Sequence, residues 1–460
     1  MLLLFPLIYI TAFIYGLFHL AKSKMQGLLV FLIFGLPIYI NTMSVSFAFG
    51  FAKAIPFLQF FKEFIVVISC AIIAFSIHEY KKIKLHFIDK LVLFFFLYTL
   101  AYFILPIGTY SIFFKLLALK NIAFFPLLYF IGRFINFKQL HLNKIYAFVL
   151  FVIIVAFAVA LIEKFTNTHL HAFTGYADYN LKFFDTEPTG KYGLGWTFET
   201  ESGSKRFGSI FSNPLEFAAA IIVALAIALG VMTRKQEKLG IYMDSFHVLA
   251  LFASFCCILF AASRAAFVSY FLVIYVYAWI AKMKKTLFYF HTISITIIIL
   301  FFAFAEGDLY DYVINTINFT NTSSIGHVIE WLNGLEAMAE KPLGLGLGES
   351  GRVAAAVQEN VGGENQFIIV GVQIGVAGFL LYGWIHFYTI YLAYKNYKHL
   401  KGKEQKIAMT VLLIRVGMFL PMFTSNLDTF IYISYLMWFM TGLLSNILSK
   451  PYTELEHKTV

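Results

Sequence analysis

The sequence is poor in charge and in cysteine. Asp, Glu, Lys and Arg make up 13% of the 460 residues, about half their share in an ordinary soluble domain. The three cysteines, Cys70, Cys256 and Cys257, each lie within an apolar run. So few cysteines support neither a disulfide framework nor a cysteine-based zinc site. The shortage of charge argues against a water-soluble fold, because a surface of this size needs more polar cover.

Apolar residues are abundant, at 60% of the chain, and the mean hydropathy is +0.79. A membrane-spanning helix needs about 20 mostly apolar residues. Windows of this kind recur at 2–21, 26–43, 63–79, 88–106, 111–131, 145–163, 209–232, 246–262, 265–281, 286–304, 366–393, 407–425 and 429–447. The sequence therefore predicts an all-α fold, a polytopic transmembrane bundle of about thirteen helices, in a single integral membrane domain over residues 1–460.

The segment 44–62 is apolar but contains Lys53 and Pro56. Proline removes a backbone hydrogen-bond donor and disfavours a continuous helix. We therefore expect this segment to lie at the membrane interface or to re-enter the membrane without crossing it.

Lysine and arginine cluster in every second short connection. They are Lys22 and Lys24; Lys81, Lys82 and Lys84; Arg133, Lys138 and Lys144; Arg234, Lys235 and Lys238; Lys282, Lys284 and Lys285; and Lys395, Lys398, Lys401, Lys403 and Lys406. Basic loops remain on the cytoplasmic side. We expect the C-terminus in the cytoplasm and the N-terminus outside, so the formal net charge of +10 reflects orientation and not nucleic-acid binding.

Two long connections, 164–208 and 305–365, fall on the opposite side and are predicted to be periplasmic loops. The second contains nine acidic residues and two basic ones, Lys341 and Arg352. We expect any chemistry to reside in these loops. Acidic pairs such as Asp185 with Glu187 are common in polar loops, so they predict no metal site.

Cations near the outer ends of the predicted helices are candidate ligands for an anion. Arg206 opens a segment that leads through Asn213 into a helix, and Arg264 lies in a short turn between two helices. A guanidinium group binds phosphate oxygens in pairs and stays charged. Lys115 and Lys120 lie at similar depth, although snorkelling or an ion pair would also explain them. A structural role remains the alternative for the arginines.

The end of the second loop combines glycines, a carboxylate and an amide. Gly344, Gly346 and Gly348 alternate with leucine, which suits either a backbone anion site or a flexible loop. Glu364 and Asn365 precede a helix, where Glu364 can act as a general base or simply stabilise the helix N-terminus. A second candidate base in the same loop is His327.

Taken together, these motifs resemble the bacterial O-antigen ligase and O-antigen or exopolysaccharide polymerase family. The resemblance rests on the segment from Arg206 to Pro214, the Ser-Arg-Ala turn at 263–265, the Pro-Leu-Gly repeat at 342–348, and Glu-Asn before a glycine-containing helix. It covers about 200–380; the remainder is similar only as a series of apolar helices.

The resemblance implies metal-independent glycosyl transfer at the periplasmic face of the inner membrane, without a cofactor. The implied partners are an undecaprenyl-pyrophosphate-linked glycan donor, a lipid-linked acceptor and the bilayer; a chain-length regulator is a further option. It also implies that Arg206 and Arg264 hold the pyrophosphate, assisted by Lys115 and Lys120, and that Glu364 accepts the proton of the acceptor hydroxyl. Asn213, the three glycines, Asn365 and His327 are the other expected substrate contacts.

Two alternatives remain to the polymerase that we favour. Ligases of the family commonly have a His-Asn pair where this chain has Glu364 and Asn365, which favours polymerisation over transfer to lipid A core. A flippase for lipid-linked oligosaccharides would also place cations in a membrane cavity. The cations here gather near one face beside two long loops, which favours an enzyme.

Overall fold

The computed structural model describes residues 1–77, 85–232, 244–305, 307–318, 320–357 and 360–449. The basic residues predicted at 81–84 and 234–238, and the tail from 450, lie outside this part. Within it the chain forms nineteen α-helices and one isolated β-bridge, Glu199 with Lys205. The helices are α1 Leu4–Leu20, α2 Gln26–Phe34, α3 Tyr39–Ala48, α4 Ile55–Ile77, α5 Phe87–Ile104, α6 Ile112–Phe134, α7 Leu142–Thr166, α8 Leu170–Phe173, α9 Tyr176–Phe184, α10 Pro214–Met232, α11 Ser245–Ala261, α12 Arg264–Ile280, α13 Lys284–Phe304, α14 Asp308–Ile317, α15 Thr322–Glu340, α16 Arg352–Val357, α17 Gln366–Tyr397, α18 Gly402–Thr424 and α19 Ile431–Leu448.

Ten helical segments of the described chain are long and apolar enough to cross a membrane. Helices α2 and α3 together form one of these segments, Gln26–Ala48. Three shorter apolar helices, α1, α11 and α12, have 17 residues each. Each of the predicted windows coincides with one of these helices. The structure confirms an all-α polytopic bundle.

The expectation for residues 44–62 is wrong. Helix α3 continues to Ala48, and α4 begins at Ile55 with Pro56 as its second residue. Proline is tolerated in the first turn of a helix because the amide it lacks has no partner there. The segment is therefore a turn between two helices, and Lys53 lies in that turn.

Small residues allow the central helices to approach closely. Helices α6 and α19 cross where Gly132 faces the carbonyl of Phe439 and Gly442 faces that of Tyr129; a Cβ at either glycine would lie 2.1 or 2.0 Å from those oxygens. In membranes, where lipid removes the hydrophobic drive for association, such contacts between backbones supply the packing energy. Helices α10 and α18 also lie in this buried centre, whereas α13 has no buried residue in the described chain.

A buried ion pair joins α5, α6 and α19. Arg133 Nε lies 3.0 Å from each oxygen of Asp89, which also accepts hydrogen bonds from the hydroxyls of Ser445, at 2.7 Å, and Tyr129. Asp89 is fully buried. Because removal of one partner would leave a charge in a low-dielectric interior, the three helices are held together at this point.

The two ends of the bundle differ. At one end the basic connections meet: Gln26 donates to the carbonyl of Gln139, and Lys406 contacts Asn143 at 3.4 Å. At the other, which we call the loop end, segments 167–213 and 341–365 cover the helix termini. There Leu345 N donates to Val372 O, at 2.7 Å.

Candidate active site

A cavity of about 700 Å³, here called the large lobe, lies at the loop end between α4 and α6. Helices α9 and α16 cover it, and α19 forms its inner wall. Its apolar lining includes Phe60, Phe114 and Phe124. The outward faces of α4 and α6 carry exposed phenylalanines, among them Phe57 and Phe113. The large lobe therefore lies directly behind apolar surface.

A second cavity of about 340 Å³, the small lobe, is richer in amides and hydroxyls. Its polar lining residues are Tyr39, Tyr176, Asn180, Ser212, Asn213, Glu216, Arg352, Asn360, Asn426 and Thr429. The two lobes share the polar residues Tyr39, Asn180 and Arg352 and the apolar residues Ala355 and Ile431. A narrow cavity of about 50 Å³, here called the throat, shares lining residues with each lobe and is lined by Arg352, Asp428 and Gln373 among others. Arg352 thus lines the large lobe, the throat and the small lobe.

A group of three charges lines the wall of the large lobe formed by α4 and α6. Glu63 Oε1 lies 3.0 Å from Lys62 Nζ and 3.2 Å from Lys120 Nζ. Lys62 is buried and also donates to Tyr39 Oη at 3.1 Å and to the Gln59 carbonyl at 2.8 Å. The Lys120 side chain is 41% exposed. Arg352 adds a third cation to the lining of this lobe.

Asp428 lies at the throat, in the turn between α18 and α19. Its Oδ2 accepts a hydrogen bond from Gln366 Nε2 at 2.5 Å, and its backbone N–H donates to Gln366 Oε1 at 2.9 Å. Burial raises the pKa of the Asp428 carboxyl to about 8, because the hydrogen bonds from Ser434 and Tyr382 only partly offset the cost of desolvation. The group therefore carries a proton over much of the neutral range.

Asn213 lines the small lobe and also begins α10. Its Oδ1 accepts the amides of Leu215 and Glu216, both at 2.9 Å, which is the arrangement of an N-cap. The Glu216 carboxylate accepts the Ser212 amide at 3.2 Å and the Ser212 hydroxyl. The local sequence thus fixes Asn213 and Glu216 at the wall of this lobe.

Arg206 and Arg264 lie together at a different edge of the loop end. Arg264 NH1 lies 3.8 Å from Glu201 Oε2. The Arg206 amide donates to Phe198 O at 2.9 Å, and the next residue, Phe207, donates to Phe260 O at the end of α11. The structure brings both arginines to the bridge-containing turn at 199–205. Neither lines the two lobes or the throat.

Glu364 pairs with His327, whose Nδ1 lies 2.5 Å from Glu364 Oε2. The pair is next to the small lobe, because Asn360 and Gly363 line it, although Glu364 itself does not. Asn365 is buried and caps α17, with its Oδ1 accepting the amides of Phe367 at 3.0 Å and Ile368 at 3.3 Å. The pair is thus held where the loop enters the helix.

The glycine stretch, which contains Gly344, Gly346 and Gly348, packs against a break in α17. The backbone of Ile374 and Gly375 is non-helical, and Gly375 has φ 79° and ψ 177°. The amides of Gly346 and Gly348 donate to the carbonyl and the side-chain oxygen of Gln373 at 3.1 and 2.9 Å. A Cβ on Gly344 would lie 2.5 Å from the amide nitrogen of Gly375. These glycines permit contact between two backbones, and their role toward substrate stays a prediction.

The two predicted lysines differ in position. Lys120 lines the large lobe, whereas Lys115, earlier on α6, is buried and lies outside the lobes. Sequence reasoning missed Arg352, Lys62, Glu63 and Asp428. A signal existed for Arg352, since it is one of two basic residues in an acidic loop. Lys62 was hidden by the mistaken interpretation of 44–62, and Glu63 is the first residue of the predicted window 63–79.

A comparison with protein families matches residues 249–383 to the O-antigen ligase family (Wzy_C). The match includes Arg264, Arg352, the glycine stretch and Glu364, and it leaves out α4 and α6. A comparison with curated proteins finds no match. The multi-pass helical bundle and the matched region together support a ligase- or polymerase-type role in membrane glycosyl transfer. Over residues 249–383 the chain is therefore similar to the O-antigen ligase family.

Proposed function

We propose that the chain polymerises undecaprenyl-pyrophosphate-linked polysaccharide repeat units, by inverting and metal-independent glycosyl transfer in the two lobes. The observation that carries this proposal is the cavity itself: an apolar large lobe behind the outward faces of α4 and α6, with Arg352 and Lys120 in its wall. A polyprenyl chain needs an apolar lining, and a diphosphate needs cations. The loop end would face the periplasm, since the basic connections gather at the opposite end.

In this proposal the donor diphosphate lies against Arg352 and Lys120, with its lipid chain between α4 and α6. The acceptor sugar occupies the small lobe, where Asn213, Asn180 and Asn426 offer amides to its hydroxyls. The acceptor hydroxyl attacks the anomeric carbon, the bond from that carbon to the diphosphate oxygen breaks, and the electron pair leaves with the diphosphate. Fixed cations stabilise this charge as it develops.

The proton of the acceptor hydroxyl passes to the pair formed by Glu364 and His327 at the edge of the small lobe. The two side chains lie 2.5 Å apart, from His327 Nδ1 to Glu364 Oε2. A base within hydrogen-bond reach typically accelerates such a transfer by 10² to 10⁴. The sequence alone suggests a second placement of the diphosphate, at Arg206 and Arg264, and the experiment below separates the two placements.

The test is complementation of a strain that lacks the chain's own gene, with the surface polysaccharide analysed as a ladder on a gel. Arg352→Ala should reduce chain extension about 100-fold, the order seen when one transition-state donor is removed. Glu364→Ala should also stop extension, whereas Lys182→Ala, an exposed cation at the same end, should leave the ladder unchanged. Expression in the membrane is checked for each variant.

The product distinguishes the alternatives. A polymerase defect leaves single repeat units attached to lipid A core, a ligase defect leaves long chains on the lipid carrier, and a flippase defect leaves single units on the cytoplasmic leaflet. A full ladder from Arg352→Ala, with loss of extension in Arg206→Ala and Arg264→Ala, would move the diphosphate to the second placement. Full ladders from all of these variants would refute the proposal.

A further inference from the structure

The two carboxylate oxygens of Glu63, in the large lobe, differ in their hydrogen-bond partners. Glu63 Oε1 receives both lysines, Lys62 at 3.0 Å and Lys120 at 3.2 Å. Glu63 Oε2 is buried and has no hydrogen-bond partner among the residues that the structure describes. Buried polar atoms nearly always have a hydrogen-bond partner. An exception in the wall of a cavity indicates that a bound ligand supplies the donor.

Both neighbouring lysines contact the other carboxylate oxygen of Glu63, Oε1. Lys62 Nζ lies 3.0 Å from Glu63 Oε1 and donates hydrogen bonds to Tyr39 Oη and to the carbonyl of Gln59. Lys120 reaches the same oxygen, Oε1, and its side chain remains 41% exposed. The ammonium of Lys120 therefore keeps N–H groups that face the lobe, while Glu63 keeps an acceptor beside them.

An ammonium and a free carboxylate oxygen on one wall match the junction between a phosphate and a sugar. The phosphate offers acceptors to Lys120, and the adjoining sugar ring offers hydroxyl donors to Glu63. Lipid diphosphate without a sugar has the phosphate acceptors and lacks the hydroxyl donors. Asn121 and Asn180 line the same lobe and can contact the remaining hydroxyls of the ring.

We propose that Glu63 is a specificity-determining residue that accepts a hydrogen bond from a hydroxyl of the donor sugar next to the diphosphate. This inference rests on the proposed function, because it takes the large lobe as the donor site. Glu63 then favours the lipid that carries a sugar over the lipid diphosphate that remains after transfer. A hydrogen bond to a charged acceptor is worth about tenfold or more in affinity.

Native mass spectrometry of the full chain in detergent tests the proposal. The protein is mixed with equal amounts of undecaprenyl diphosphate and of the same lipid carrying one N-acetylglucosamine, and the two bound populations are compared. The wild type should prefer the sugar-bearing lipid about tenfold. Glu63→Gln should bind both lipids equally. Lys120→Gln should weaken both lipids and keep the preference.

The double variant with Glu63→Gln and Lys120→Gln removes one charge of each sign, so it preserves the balance of charge if the single variant fails to fold. It should also lack the preference. A wild type without preference, or a preference that survives Glu63→Gln, overturns the role of Glu63 while leaving the large lobe as a lipid site. A wild type that binds neither lipid overturns the proposed function itself, and this inference with it.

Discussion

Arg352 lines both the large and the small lobe. It is the first residue of a short helix, and its guanidinium lies 4.8 Å from the ring centre of Phe184 in α9. Stacking on an aromatic face leaves the N–H groups at the rim of the guanidinium available to a ligand. The sequence shows Arg352 as a base in an acidic loop, yet only folding reveals that it faces Lys120 and Asp428.

Asp428 should make the stability of the protein depend on pH. Its carboxyl has a pKa of about 8 when folded and about 3.9 when unfolded. Between these values the folded state holds a proton that the unfolded state has released, so stability falls as pH rises from about 4 to about 8. Asp428→Asn should remove that part of the pH dependence.

The measurement is the thermal midpoint of the purified protein in detergent at pH 5, 6, 7 and 8. The wild type should lose stability relative to Asp428→Asn as the pH increases through this series. Parallel curves for the two proteins would show that Asp428 has the same pKa in the folded and unfolded states, which would contradict this prediction.

The residue-level predictions that held are those set by local sequence. Asn213 begins α10, as a Ser-Asn-Pro run before an apolar segment is expected to do. Contacts of Asn213 and Asn365 with substrate stay predictions. The misses have a common cause: Lys62, Lys120, Arg352 and Asp428 are separated by up to several hundred residues in the chain. Their proximity follows from the packing of α4, α6, α16 and α19, which no local pattern encodes.

At the scale of elements, α17 is two helices joined at a break. Residues Gln366–Tyr397 form one apolar run, so its length and hydropathy predict a single span. At the break, the hydroxyls of Tyr98 and Tyr102 donate to the carbonyls of Ile374 at 3.1 Å and Leu343 at 2.6 Å. The first bond satisfies a carbonyl that the broken helix would leave without a partner, and the second attaches the loop to α5. The loop and the helix are therefore one structural unit.

Gly375 should be essential for the packing of the loop against the break in α17. Its backbone conformation is available almost only to glycine and costs other residues about 1–3 kcal/mol. A Cβ there would also lie 2.6 Å from the carbonyl oxygen of Pro342. Gly375→Ala should therefore lower the thermal midpoint and reduce expression in the membrane. The matched control is Gly383→Ala in the same helix, where the nearest atom to a new Cβ is 4.0 Å away.

Gly383→Ala should be neutral or stabilising by up to about 1 kcal/mol, since alanine favours helix over glycine. Thermal unfolding of both variants in one detergent gives the comparison. If Gly375→Ala unfolds with the wild-type midpoint, the break in α17 is not held by the glycine stretch.

At the scale of the whole molecule, hydropathy predicts the fold class because every spanning helix must satisfy its own backbone and show apolar side chains to lipid. That constraint acts on each segment separately, so the windows can be located one by one. The cavity depends on how the helices pack against each other. Its apolar wall and two of its cations, Lys62 and Lys120, come from α4 and α6, which lie outside the region matched to the O-antigen ligase family, whereas Arg352 lies within that region.

The central claim is that a lipid diphosphate binds in the large lobe. The most direct measurement is a cryo-EM structure of the full chain in lipid nanodiscs with undecaprenyl diphosphate. We expect phosphate oxygens within about 4 Å of both Arg352 and Lys120, the range of an ion pair, with the polyprenyl chain between α4 and α6. Diphosphate density at Arg206 and Arg264, with none in the large lobe, would contradict the account.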